Sequence, residues 1–505
     1  MEKRMKPQPL NLKPLLLALA ASFALAACSV GPDYARPQMD EAPAVFKEGQ
    51  NWNPAQPRDL AANGKWWEMF GDPQLNALVD QVDISNQNLA LAEANFRAAM
   101  ALVQSSRAAY SPTLDASASA TRSRSSSSSS SSSSAGAGVR NSYSFALNAS
   151  WEADVWGKVR RDVEASSASA QASAADLAAA RLSAQASLAQ SYLQLRVLDA
   201  QQKLLEETVE AYQRSYQLTQ NQYAAGMAAK SDVIQAQSQL KTAQASALDN
   251  GVTRAQTEHA IALLVGKTPS NFTLPKAPLA AAAPLIPQGV PSMLLERRPD
   301  VAAAERRVAS ANAKIGVAKA AYFPSLTLSA SGGYQSSTFA DWFSLPGRVW
   351  SLGPQLAQSI FDGGARRAAT DQAIATYDGT VASYKQTVLT AFQEVEDNLA
   401  ALRILEQEAA VQDEALQAAR QAVVLVTNQY KAGTVSYVNV ITAQATALSA
   451  ERSSLDIRNR RMAASVLLAK ALGGGWDGKS LEDLQPLAEQ SAQKAKGLKE
   501  NAALR

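Results

Sequence analysis

The sequence predicts a mainly α-helical chain that carries four strands of membrane-crossing length and closes a β-barrel only by assembling with copies of itself. Three observations predict it. From Lys158 to Ala225 there is neither Gly nor Pro, which leaves room for an unbroken helix of about 100 Å. Short stretches elsewhere alternate apolar and polar side chains at period two. The motifs of the first half return in the second at an offset of roughly 207 residues, so each element is written twice.

The N-terminus reads as an address. Lys3, Arg4, Lys6 and Lys13 precede the apolar run Leu15 to Ala27. That run is shorter than the roughly 20 residues a spanning helix needs, so residues 1–27 read as a signal peptide. It ends in "LAAC", which looks like a bacterial lipobox, with Cys28 as the first mature residue and the carrier of a covalent lipid. A plain signal peptide beside a chance cysteine is the alternative. Ser29 stands where proteins kept in the inner membrane often have Asp, which by resemblance favours sorting to the outer membrane. Cys28 is the sole cysteine, which excludes internal disulfides and cysteine-cluster metal sites. No cofactor and no metal is expected. A net charge of +3 over 505 residues, with no basic run after the leader, argues against nucleic acid as a partner.

Residues 28–70 are rich in Pro, Asn and Asp and predict an extended, lipid-anchored segment, with Trp66, Trp67 and Phe70 as docking anchors. The first repeat spans 71–269. It opens with a helix from Gln74 to Ser111, with Leu75, Leu78, Val82, Leu89 and Phe96 at helical spacing. Pro112 ends it, and a hairpin over 112–151 follows, in which Tyr143, Phe145, Leu147, Ala149 and Trp151 alternate with smaller or more polar neighbours. The serine run Ser125 to Ser134 between its strands reads as a solvated loop. In the long helix, Leu188, Leu195, Val209, Tyr216 and Tyr223 share one heptad position and Leu198, Leu205 and Tyr212 another, the seam of a coiled coil. A linker over 270–290 leads into the second repeat, 291–475, with its hairpin at 324–361, and a tail follows over 476–505. "NQYAAG" (Asn221 to Gly226) answers "NQYKAG" (Asn428 to Gly433).

Four strands per chain are too few to close a barrel, and open sheet edges cannot face lipid, so several copies must combine. Two, three or four copies are equally compatible with the spacing of the strands.

"VGPDYARP" (Val30 to Pro37), "WWEMFGDPQL" (Trp66 to Leu75), "RRPDV" (Arg297 to Val301), the paired turns and "ALGGGW" (Ala471 to Trp476), in this order within a twofold repeat, resemble the outer-membrane factor family. These are the TolC-like exit ducts of efflux and secretion machines, and the NodT-type efflux lipoproteins are the most similar group within them. The resemblance implies a homotrimer with a twelve-stranded barrel in the outer membrane, continued by a periplasmic α-helical barrel. It implies an adaptor protein and an inner-membrane pump of the proton-driven RND type as partners, besides outer-membrane lipid. It puts Gly226 and Gly433 at tip turns that meet the adaptor, although plain C-caps of two helices are equally compatible with the sequence and the two readings can hold together, and it puts the resting gate at Val438, Asn439 and Thr442. Relatives carry aspartates where Asn439 and Thr442 stand, so a less cation-selective entrance is expected here, with Asp232 as the residual acid.

The expected function is therefore a passive efflux duct for drugs or other small toxic compounds. A duct for type I protein secretion and a structural coiled-coil lipoprotein are the other readings. An enzyme is not expected. The lone His259 sits in a helical context without a second base or nucleophile at a telling spacing, and "GKT" at Gly266 to Thr268 has Ile261 where a phosphate loop needs its first glycine. Glu394, Glu396 and Asp397 read as a solvated helix face.

Overall fold

The computed structural model describes residues 30–38, 46–49, 64–124, 139–278 and 297–476, together with 478, 481 and 484. Cys28 and the leader 1–27, the serine run, most of the expected linker and nearly all of the expected tail lie outside the described residues. The chain divides into two units. One comprises Met1–Pro37, Ala98–Gln171 and Glu305–Ser383, the other Gln38–Arg97, Ala172–Ala304 and Tyr384–Arg505.

The first unit is built on a four-stranded antiparallel sheet. β1 (Thr113–Arg124), β2 (Val139–Ala153), β3 (Ser325–Ser336) and β4 (Arg348–Ala357) pair in sequence order, which leaves β1 and β4 as edges. The first hairpin keeps its expected start, but β2 runs two residues past the expected end. The second stops at Ala357 instead of 361, where the Gln358 side chain donates to the carbonyl of Tyr322 and the chain turns at Asp362 into the next helix. Residues 30–38 are free of helix and strand and lie along the helices of this unit. Asp33 pairs with Arg161 at 2.7 Å, Asn312 donates to the carbonyl of Pro32, and Tyr34 bonds Glu305.

The second unit is helical. The helix expected from Gln74 to Ser111 is two helices, α1 (Pro73–Ser85) and α2 (Gln87–Ala108). Asn86 breaks it by taking an extended backbone, and its side-chain oxygen caps α2 by accepting from the amides of Asn88 and Leu89. Its amide nitrogen donates to the carbonyl of Leu264, and the Ser85 hydroxyl donates to that of Val265, so the break receives the end of another helix. Nor is the chain extended up to residue 70. Trp66–Phe70 forms a 3₁₀ turn whose three aromatic rings are buried edge to face, with the Trp66 and Trp67 rings 6.0 Å apart.

The matched helices of the two repeats keep their lengths to the residue. α3 (Lys158–Ala224) and α6 (Ala365–Lys431) are each 67 residues long, and α4 (Lys230–Leu264) and α7 (Tyr437–Ala471) each 35. α5 (Pro299–Ala320) matches the 22 residues of α2. Along α3 the expected seam is buried at Leu188, Leu195, Leu198, Leu205 and Tyr212 and opens towards the tip, where Tyr223 is exposed. Among the described residues no helix is long and apolar enough to cross a membrane.

Candidate functional site: a two-faced sheet and a pair of helical tip turns

The register of the sheet sorts its side chains by chemistry. Ala118 lies opposite Phe145, Phe145 opposite Tyr334, Ala330 opposite Leu352 and Leu328 opposite Pro354. Since successive side chains of a strand point to opposite faces, these residues share one apolar face. The in-between positions pair Ser119 with Ser144, Asn148 with Ser331 and Ser331 with Ser351. On this second face hydroxyls bond across the strands, Ser119 to Ser144 at 2.7 Å and Ser331 to Ser351 at 2.9 Å. An apolar face opposed to a face of small hydroxyls is the pattern of a barrel wall between lipid and a wet lumen. Pro354, which donates nothing to the ladder, sits on an edge strand as sheet chemistry requires.

In the second unit, α3 and α6 end in matching caps. The amide of Gly226 donates to Tyr223 at 2.9 Å and that of Met227 to Gln222 at 2.8 Å. Gly433 and Thr434 do the same to Tyr430 and Gln429, both at 3.0 Å. This is the 5→2 and 6→1 pattern that needs a left-handed residue, and the two glycines have φ of 73° and 74°. So the glycines singled out from the sequence terminate the two long helices. Val438, Asn439 and Thr442 lie together on the exposed side of the first turns of α7, where the Thr442 hydroxyl donates to the carbonyl of Val438 at 3.0 Å. Asp232 occupies the same place in α4, half buried in the first turn.

Behind these positions lies a cluster the sequence did not single out. Tyr430, Tyr437, Val440 and Ala236 are buried together, with the two tyrosine rings 5.2 Å apart. Gln444 donates to the Ser215 hydroxyl at 3.2 Å, tying α7 to α3. Burial pushes the Tyr437 phenol up to about 12. Tyr430 closes α6 and Tyr437 opens α7, so no single helical repeat links them, and only the turn at Gly433 brings the two rings together.

The acidic run on α6 also differs from expectation. Glu394 pairs with the buried Arg298 at 2.7 Å and Glu396 accepts from the backbone amides of Lys47 and Glu48, and both are partly covered where Asp397 is exposed. Arg298 also holds Asp300 at 2.7 Å. Burial works against the Asp300 charge, but the guanidinium outweighs it and keeps that carboxyl below the usual carboxylate range. His259 lies exposed on α4, and Gly266 ends that helix instead of opening one.

Residues 78–267 and 290–474, the two copies of the repeat, each match the model of a family described as outer membrane efflux protein. The chain belongs to that family. Its members and structural neighbours are outer-membrane channel proteins, not enzymes, and this chain is an outer-membrane efflux protein that reaches into the periplasm. It is 33% identical over 467 residues to the probable efflux pump outer membrane protein TtgC of Pseudomonas putida, covering 92% of this chain and 96% of that protein. It is 29% identical over 464 residues to the cation efflux system protein CusC of Escherichia coli, covering 91% and 98%. The solved outer-membrane channel OprN superposes with a TM-score of 0.83 at 32% identity, over 89% of this chain and all of that one.

Proposed function

We propose that this chain is the passive exit duct of a tripartite efflux pump, working as a homotrimer anchored by lipid on Cys28 and exporting drugs or other small toxic compounds. The observation that carries this reading is the two-faced sheet whose edges β1 and β4 are unpaired among the described residues, since they must find partners in another copy before the apolar face can meet lipid. Three copies give twelve strands. The helices support it independently. Ile404, Val411 and Leu425, on one heptad position of α6, are exposed, as are Ile234, Leu248 and Val252 on α4. Two uncovered apolar stripes on different helices fit the heterologous contact that closes a ring.

In this reading a periplasmic adaptor and a proton-driven inner-membrane pump of the RND type engage the tip turns at Gly226 and Gly433, and Val438, Asn439 and Thr442 line the gate. The polar face of the sheet, rich in Ser and Thr, gives a wetted conduit, which suits transport of varied small molecules. Energy comes from the partners. Single-channel recording of the purified protein in planar bilayers tests the duct, and a conducting, cross-linkable trimer is expected where a stalk would stay silent. The susceptibility of a deletion strain to drugs and metals tests the cargo class. At the gate, Asn439→Asp is expected to shift the reversal potential in a salt gradient towards cation selectivity, and an unchanged potential removes Asn439 from the gate.

A further inference from the structure

We infer that the apolar face of the sheet carries, at its hairpin-loop end, a docking surface for the phosphate groups of outer-leaflet lipid. The inference rests on the duct reading above and assigns the lipid contact to particular side chains. By register, Arg122 and Arg124 at the end of β1 are in phase with Leu114, Ala116, Ala118 and Ala120, and Arg348 at the start of β4 lies opposite Tyr334 on the same face. All three are exposed, and none has an ion-pair partner among the described residues. The sequence supplies little counter-charge nearby. Ser125 to Gly138 contains no acidic residue, and Asp341, the sole acid between β3 and β4, accepts from the Thr338 hydroxyl at 2.6 Å.

A cation on a lipid-facing strand is tolerated near the membrane interface and costly at mid-depth. The same end of the sheet carries the marks of that interface. The β3–β4 connection lays Phe339, Trp342 and Phe343 over Tyr143, Phe145 and Tyr334 of the apolar face, with ring centroids 5.6 to 6.0 Å apart. Aromatic belts of this kind mark the headgroup level. The helices α3 and α6 follow the other ends of β2 and β4, so the hairpin loops face outwards from the cell. Exposed arginines beside an outward aromatic belt meet lipid phosphate, and the planar guanidinium fork matches phosphate oxygens two at a time. β1 and β4 are the edge strands, so closing the ring brings Arg348 of one copy to the seam that holds Arg122 and Arg124 of the next.

The test uses the full mature protein in neutral detergent, titrated with bisphosphorylated lipid A and, separately, with its monophosphoryl and fully dephosphorylated forms, with bound lipid counted by native mass spectrometry. Planar-bilayer conductance is recorded for every variant. The combined variant Arg122→Ala, Arg124→Ala, Arg348→Ala is expected to weaken lipid A binding about tenfold or more, and the combined lysine variant to fall in between. Arg140→Ala, whose side chain lies on the polar face, should bind as the wild type, and the wild type should weaken as phosphates are removed. Equal binding by the triple alanine variant, an equal loss in Arg140→Ala, or indifference to the phosphates overturns the inference while a conducting wild type leaves the duct standing. Should the alanine variant fail to conduct, the lysine variant and the phosphate series on the wild type decide. A wild type that never conducts overturns the duct and this inference together.

Discussion

The two repeats share helix lengths to the residue, yet at the level where chain segments cross the long helices they solve the same ionic problem differently. In the first, Arg196 and Arg254 both hold Asp199 at 2.7 Å, with Asp199 and Arg196 almost wholly buried. The segment after α4 completes the network. Arg196 donates to the carbonyl of Pro275, Arg254 to that of Leu274, and Glu258 accepts from the Leu274 amide. In the second repeat the matching positions are Arg403, Glu406, Arg461 and Ser465. Arg403 turns to Glu48 at 2.5 Å, and Arg461 meets Glu406 only at 4.0 Å, with Glu406 well exposed. The difference teaches that duplication preserves a helical frame, while the segment laid across the frame decides whether an ion pair is sealed from water.

The largest expected effect follows from that burial. Asp199→Ala should destabilise the protein by about 3 to 5 kcal/mol, because it leaves Arg196 buried and uncompensated. Thermal unfolding followed by circular dichroism measures it, and a loss under about 1 kcal/mol would erase the contrast between the repeats. Next comes a pH effect at a position where the two repeats differ. Tyr192 donates to Asp72 at 2.6 Å, and burial above all pushes its phenol up to about 12, whereas Leu399 fills the matching place in the second repeat. A folded pKa above the unfolded value of about 10 means stability that is full below pH 10 and lost as pH rises towards 12. Tyr192→Phe should therefore lose less of its melting temperature between pH 9 and pH 11 than the wild type does.

At the tip turns the repeats are expected to behave alike. Gly226→Ala and Gly433→Ala should each cost about 1 kcal/mol, since each forces a side chain into a left-handed conformation with no steric neighbour to add to it. Unequal losses would reveal a contact unique to one turn. The smallest effect is set for Arg461→Ala, under about 1 kcal/mol in the same melts, as befits a stretched pair whose acid is exposed.

How much was legible follows from range in the chain. The long helices were readable because their signal is local, the absence of Gly and Pro from Lys158 to Ala225 and the heptads within it. The strands were readable by alternation, and the tip glycines by their repetition. Asn86 was not read as a break. Its cap is local chemistry, an Asn before "QNL", but the break it makes is held by a bond to the carbonyl of Leu264, more than 170 residues away. The carboxylates on α6 read as solvated because nothing in a helical run announces that Arg298 and residues 47–48 will cover it.

By itself the sequence determined the twofold repeat by direct self-similarity, and the span of the long helix from Lys158, the alternation of the strands and the turns that reverse the chain, because each of these depends on residues within a few positions of one another. Only the tertiary structure decided which face of the sheet is apolar across all four strands, where the long helices receive a second tier of chain, and which of two matching arginine sites is sealed from water. Register, burial and charge compensation are set by residues far apart in the chain, and their physical worth exists only once water has been excluded from between them.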